Sequence, residues 1–438
     1  MLDINWLDKG YSIATYSDYQ NGMLIVKTVA ACCMIDLQQN VIIPPVYHHI
    51  EHFKQGLAKV SKYGNYSYID KQNNVVISAA DYFIHSSDCM SDNGLIAAGT
   101  LDEKTRRWGF VDLAGKIAVP LEYEDVNRFS GNLAAAKKDG LYGYIDTAGN
   151  VSIPFVYKQV WPYQNGIACI RTDDKYGVID ENGKAVLEPK YEFIQIYWDG
   201  IIAVQQDDKW GVFDKQGKQI VPFIYDSFTA YNCDGYAEVG QNGKCGLIDK
   251  NGKLVVPLEY ESVSFFREDG FAEASLSKRK KVLIGHDGKI LKGFGSLLFG
   301  FTEGLAAVKK KGKWGYIDTN GKDVIAPQYA DATGFSDGVA RVMDMNGKCG
   351  FIDKQNNTVV PFLYDWTYTF NGKNYVTVLN GHNPVFRLPG PCKEGLVDRN
   401  GNVLLPVIYD DVICAGGDNV VFVKQGSQWG YVVVPESL

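Results

Sequence analysis

Short apolar runs, each broken by a polar turn, recur along the chain with one internal pattern. In Gly304 to Phe335, GLAAVKKKGKWGYIDTNGKDVIAPQYADATGF, they predict three short strands: Leu305 to Lys309, Trp314 to Asp318 and Lys322 to Ala326. Between the second and third lies Asp-x-x-Gly, which suits a type I turn followed by a left-handed residue. Asn73 and Asn356 replace that glycine elsewhere, and asparagine best tolerates the left-handed region after glycine; Gln39 is the exception. Proline follows the third run, as in Pro154 to Tyr157 and Pro222 to Tyr225, and is expected to end the strand and begin the link to the next unit. On the middle strand Trp314, Tyr316 and Asp318 share one face, and Gly315 and Ile317 the other. A glycine inside a strand implies close approach by another group, expected to be a side chain of the adjacent unit. The Trp-Gly pair then reads as an interlock between units.

The motif aspartate recurs as Asp36, Asp70, Asp112, Asp146, Asp180, Asp214, Asp249, Asp318, Asp353 and Asp398, with Gly285 in one degenerate unit and Val433 in the last. Steps near 34 residues, as from Asp112 to Asp146, define a repeat architecture. The expected fold is all-β: about twelve three-stranded meanders stacked as an open or loosely closed superhelix, with one or two propeller-like rings as the alternative. Residues 1–20 form an N-terminal half-unit, 21–416 eleven repeats and 417–438 a C-terminal half-unit. The repeats are degenerate around 267–301 and carry insertions at 99–107 and 380–393.

Trp108-Gly109, Trp210-Gly211, Trp314-Gly315 and Trp429-Gly430 carry the motif, the first three after a basic residue. On these residues the chain resembles the WG repeat family, also called KWG repeats. The resemblance covers almost the whole chain and implies a bacterial, all-β interaction module with no shared catalytic residues. The Trp slot also holds Tyr142, Tyr176, Cys32, Cys245, Cys349, Lys281 and Glu394, which departs from the family pattern.

Composition narrows the partner classes. A net charge of -7 supplies no general attraction for nucleic acid or anionic membrane. The start has no basic and apolar leader pattern, and no apolar run is long enough to cross a membrane, so a soluble cytoplasmic protein is expected. Nine cysteines without a CxxC pair suggest neither a disulfide framework nor a common zinc site. No cofactor or metal is expected.

His48, Glu51 and His52 spell the inverted zinc-protease pattern, but they fall in a connector where the required helix is not expected. The acid pairs Glu122 with Glu124 and Asp410 with Asp411 recur beside the connector tyrosine and read as solvated polar positions. The lysine runs at 278–281 and 309–311 read as charged hairpin turns. Three function classes are weighed: a non-catalytic scaffold for a protein or peptide, which is preferred; a glycan or cell-wall binder using exposed aromatics; and an enzyme. Both insertions fall in the same first hairpin turn, which places candidate partner-binding residues at His382, Phe386 and Arg387 and at Lys104, Arg106 and Arg107.

Overall fold

The computed structural model describes residues 2–8, 10–13, 19–29, 31–87, 89–197, 199–267, 270–277, 280–286, 288, 290–291, 300–370, 372–381, 392–414 and 419–435. These form twelve small antiparallel sheets and no helix. A regular sheet runs in chain order through a connector strand (Gln159–Val160), a leading strand (Ile167–Arg171), a middle strand (Tyr176–Asp180) and a third strand (Ala185–Tyr191). The meander therefore gains a fourth strand from the connector in ten of the twelve sheets.

Turn chemistry sets this order. Leading and middle strands join through two-residue turns such as Asp139-Gly140, with φ of 51° and 78°, the doubly left-handed form that matches strand twist. At the second turn the Asp146 carboxylate accepts the amides of Ala148 and Asn150 at 2.9 and 2.8 Å while Gly149 takes φ +84°. The Asn150 side-chain amide holds the Asp146 carboxyl below its ordinary range. Asn73, Asn356 and Gln39 adopt the same left-handed conformation, and their side chains explain their presence. Asn73 and Asn356 accept the hydroxyls of Tyr47 and Tyr329 from the preceding unit. The Gln39 amide donates to the Trp6 carbonyl at 3.0 Å and accepts the Asp8 amide at 2.9 Å.

Two expectations are corrected. The proline does not end the third strand: Pro327 lies inside Asp323–Tyr329. Trp314 faces Tyr329 and Tyr316 faces Ile325, so Gly315 lies opposite three bulged residues. A Cβ on Gly315 would sit 2.5 Å from the Ile325 carbonyl oxygen and 2.7 Å from the Pro327 nitrogen. The group that approaches the glycine is thus the backbone of its own third strand, and proline there withholds a donor that the bulge leaves without a ladder partner.

The interlock lies two residues further on. Tyr316 is fully buried, packs on Phe335 of the next sheet at 4.8 Å and donates its hydroxyl to the Thr333 carbonyl at 2.8 Å. Tyr144 repeats this with Tyr163 and the Trp161 carbonyl, and Phe110 with Phe129 and Phe351 with Phe370 repeat the ring pair. Ile317, on the opposite face, packs backward with Leu283 and Phe301. Each sheet is therefore apolar on both faces and cannot bury them alone.

The array is closed rather than open. Asn5–Trp6 pairs with Gln428–Val433, Asn5 opposite Tyr431 and Trp6 opposite Gly430, and so supplies the third strand of the last sheet. Leu7, Phe422 and Trp429 share one core with Leu24, Val26 and Ile35 of the first sheet. The remaining core clusters likewise join sheets consecutive in the chain, giving one circuit of twelve.

Candidate functional site: clefts between units

In nine units the Trp slot stands near the start of the middle strand opposite the tyrosine that closes the third strand, as Trp210 faces Tyr225, Cys349 faces Tyr364 and Glu394 faces Tyr409. Its side chain lies over the connector of the following unit. The thiols of Cys32, Cys245 and Cys349 donate to the carbonyls of His48, Glu261 and Asp365 at 3.3, 3.7 and 3.7 Å. Burial pushes the Cys349 thiol up to about 11, which makes it a packing group rather than a nucleophile. Trp314 and Trp429 are buried, whereas Trp108 and Trp210 are half-buried. The slot thus borders the seam between units, and two described clefts lie beside it, at Trp108 and at Glu394.

One cleft, about 390 Å³, lies beside Trp108 and is lined by His85, Ser87, Trp108, Asp125, Asn127 and Arg128. The irregular stretch on its wall is held by the buried Lys59, whose ammonium donates to the Ser86 carbonyl at 2.8 Å. His85 Nδ1 lies 2.7 Å from the Ser87 hydroxyl. The insertion at 99–107 closes through Asp102, which accepts the Lys104 amide at 3.0 Å and the Thr105 hydroxyl at 2.8 Å. Arg106 folds back with its guanidinium 3.5 Å from the centre of the Phe83 ring, and Phe83 meets Trp108 edge-on at 5.8 Å. Lys104 and Arg107 remain exposed. Of these three basic residues, then, Arg106 is built into the wall and two face solvent.

The second cleft, about 560 Å³, lies beside Glu394 and is lined by Tyr368, Phe370, Tyr375, Glu394, Asp411 and Cys414, among others. Glu394 accepts the Val412 amide at 2.7 Å. Burial, with Asp411 adding like charge, pushes the Glu394 carboxyl up to about 7 despite that bond. Burial raises Asp411 and Cys414 as well. His382, Phe386 and Arg387 lie outside the described residues. The strands that carry the longer insertion, Tyr375–Asn380 and Lys393–Asp398, contribute Tyr375 and Glu394 to this wall. Both insertions therefore spring from strands that border the two described clefts.

The other sequence candidates have plain structural roles. His48 and His49 fall at a connector strand, where His48 Nδ1 accepts the Tyr63 amide at 3.0 Å and His49 lies 3.7 Å from Glu51. No group of three metal-type ligands occurs among the described residues. Glu122 pairs with Lys138 at 2.8 Å, and Glu124 accepts the Gly140 amide at 3.2 Å. Lys393, 2.6 Å away, holds the Asp410 carboxyl below its ordinary range. Only Asp411 of these four acids faces a cleft. The sequence marked Glu394 as a departure from the repeat, and an acid in a slot filled elsewhere mainly by aromatics and cysteines was the available signal.

A closed circuit of Trp-Gly β-meanders, with clefts between units, defines a tandem-repeat β protein. The chain belongs to the family of WG containing repeats, whose pattern matches at 34–66, 108–142, 142–176, 176–210, 210–245, 246–277, 297–314, 314–349, 350–381 and 395–429. No curated protein matches it significantly. Among solved structures, a eukaryotic initiation factor is similar at 10% identity and TM-score 0.33 over 88% of this chain and 96% of that one. BamB from Moraxella catarrhalis is similar at 13% and 0.25, over 68% and 93%. The computationally designed Ika8 protein is similar at 13% and 0.26, over 62% and 93%. Likenesses this low say nothing of function.

Proposed function

We propose that the chain is a non-catalytic scaffold whose inter-unit clefts hold a protein or peptide partner in the cytoplasm, without nucleic acid or membrane. One observation carries the reading. The positions that lock the circuit, Tyr316 on Phe335 and the matching ring pairs, keep one role in several units, while the two clefts differ in lining, tryptophan holding the slot at one and glutamate at the other. A repeat scaffold presents variable residues on an invariant frame in this way. The test sets a display library of random twelve-residue peptides beside an array of bacterial glycans, with the purified protein as bait. Enriched peptides that compete with one another for the protein support the scaffold. Capture of glycans alone transfers the reading to carbohydrate recognition, and turnover of any bound component makes the chain an enzyme.

A further inference from the structure

We propose that the Glu394 cleft receives a lysine or arginine side chain from an extended peptide segment of the partner. The inference rests on the scaffold reading and adds the chemistry of the guest. In the equivalent slot of another unit stands Trp314, which is buried. Here a glutamate stands in its place beside a cavity of about 560 Å³. Among the described residues the groups that act on Glu394 are burial, the Val412 amide and a second carboxylate, Asp411, and no cation. The nearby described cations do not act on Glu394, though Lys373 lines the same cavity and Lys424 acts on Asp411. Lys424 lies across the strand pair from Asp411 with its ammonium 5.5 Å from the Trp429 ring, Arg399 pairs with Asp337 at 3.1 Å, and the Lys373 ammonium lies 3.4 Å from the Tyr375 hydroxyl. Two half-buried carboxylates facing one ammonium among the described residues favour a further cation brought from outside. Phe370 and Tyr375 carry the chain's own Arg399 and Lys373 at 5.0 and 5.4 Å, and the exposed Tyr368 ring suits the alkyl stem and face of a guest cation.

The backbone selects a peptide over a free amine. The connector Asp411–Cys414 is the last strand of its sheet, and the Val412 amide donating to Glu394 shows that its outer edge faces the cleft. An extended segment can add along such an edge and send alternate side chains into the cavity.

Fluorescence anisotropy with labelled six-residue peptides of alternating threonine and arginine tests the idea, against the same peptides carrying glutamine for arginine. The arginine peptide is expected to bind wild type at least about tenfold tighter than the glutamine peptide, since a charge-assisted contact is worth that much. Glu394→Gln combined with Asp411→Asn removes the preference and keeps the acceptor for Val412. Glu394→Trp, which puts the repeat's own slot residue into the cavity, also abolishes binding. Glu188→Gln with Glu259→Gln, two exposed carboxylates elsewhere on the circuit, leaves affinity within about twofold. Melting curves establish that each variant is folded; if Glu394→Trp does not fold, the near-isosteric pair decides. The inference is overturned by unchanged binding in the cleft variants, by equal loss in the surface controls, by a glutamine peptide of equal affinity, or by n-butylguanidinium binding as tightly as the peptide. It is overturned too if no arginine peptide binds, while the scaffold reading then stands or falls on the display selection alone.

Discussion

Trp314 and Glu394 occupy one position of the repeat and do opposite things. Both open a middle strand, face the closing tyrosine of the third strand and look toward the next connector. Trp314 is buried in a core with Tyr316, Tyr329 and Phe335, and Lys309 lies over its ring at 5.5 Å. Glu394 borders an open cleft and holds its proton into the neutral range. Two residues along, the difference vanishes: Tyr316 and Leu396 are both fully buried. The slot is thus a margin of the interface, free to vary because the lock lies at the next inward-facing position.

The largest test of that division is Tyr316→Ala. It removes a fully buried ring, its contact with Phe335 and the donor to the Thr333 carbonyl. Denaturant melts should show a loss of about 5 kcal/mol, the upper end for a buried aromatic. A loss near 1 kcal/mol would place the lock elsewhere.

Trp314→Ala should rank second at about 3 kcal/mol, because the slot borders the core rather than centring it. Lys310→Ala, which breaks an exposed ion pair with Asp323, should stay within about 0.5 kcal/mol in the same melts. Reversal of the order of Tyr316 and Trp314 would return the lock to the Trp-Gly pair. Gly315→Ala comes third, at about 2 kcal/mol, since its methyl would meet the Ile325 carbonyl and that backbone has little room to yield. An unaltered melt for this variant would mean that the bulge, not the glycine, moves aside.

Much of this was legible in the chain. Turn residues announce strand boundaries because a left-handed position tolerates few side chains, so Asp146 to Gly149 could be read directly. The lock was also written in sequence, as an aromatic nineteen residues after the inward-facing one in Tyr144 with Tyr163 and Tyr316 with Phe335, yet it lies in a segment that reads as connector. The place of Pro327 was hidden because a bulge needs a partner strand before proline can sit inside it. Closure rests on pairing between Trp6 and Gly430; the half-units at 1–20 and 417–438 were legible, but such halves suit the caps of an open stack as well as a seam. Glu394 was visible as a departure, but its chemistry comes from Asp411 on the next sheet and from burial, neither of which has a local signature.

The smallest effect concerns pH and separates the two slots most finely. Folding raises the Glu394 carboxyl from 4.5 to about 7, chiefly by burial with Asp411 adding like charge, and Tyr368, Tyr375, Lys373 and Cys414 face the same cavity. The native protein therefore keeps a proton that the unfolded chain loses above pH 4.5. Unfolding releases that proton, so the stability it contributes is full below about 4.5 and declines as pH rises through about 7. Asp411, also raised, acts in the same direction. Glu394→Gln cannot titrate, so its melting temperature should fall less than that of wild type between pH 5 and pH 8. Solvent screening at a half-buried site limits the difference to about 1 kcal/mol. The Trp314 slot itself carries no carboxyl, and Trp314→Phe should leave the pH profile parallel to wild type. A cationic guest reverses the trend at Glu394 alone, because it stabilises the ionised form and its binding should tighten from pH 6 to pH 8. Parallel profiles for wild type and Glu394→Gln, with and without the arginine peptide, would make this slot as inert as the one that holds tryptophan.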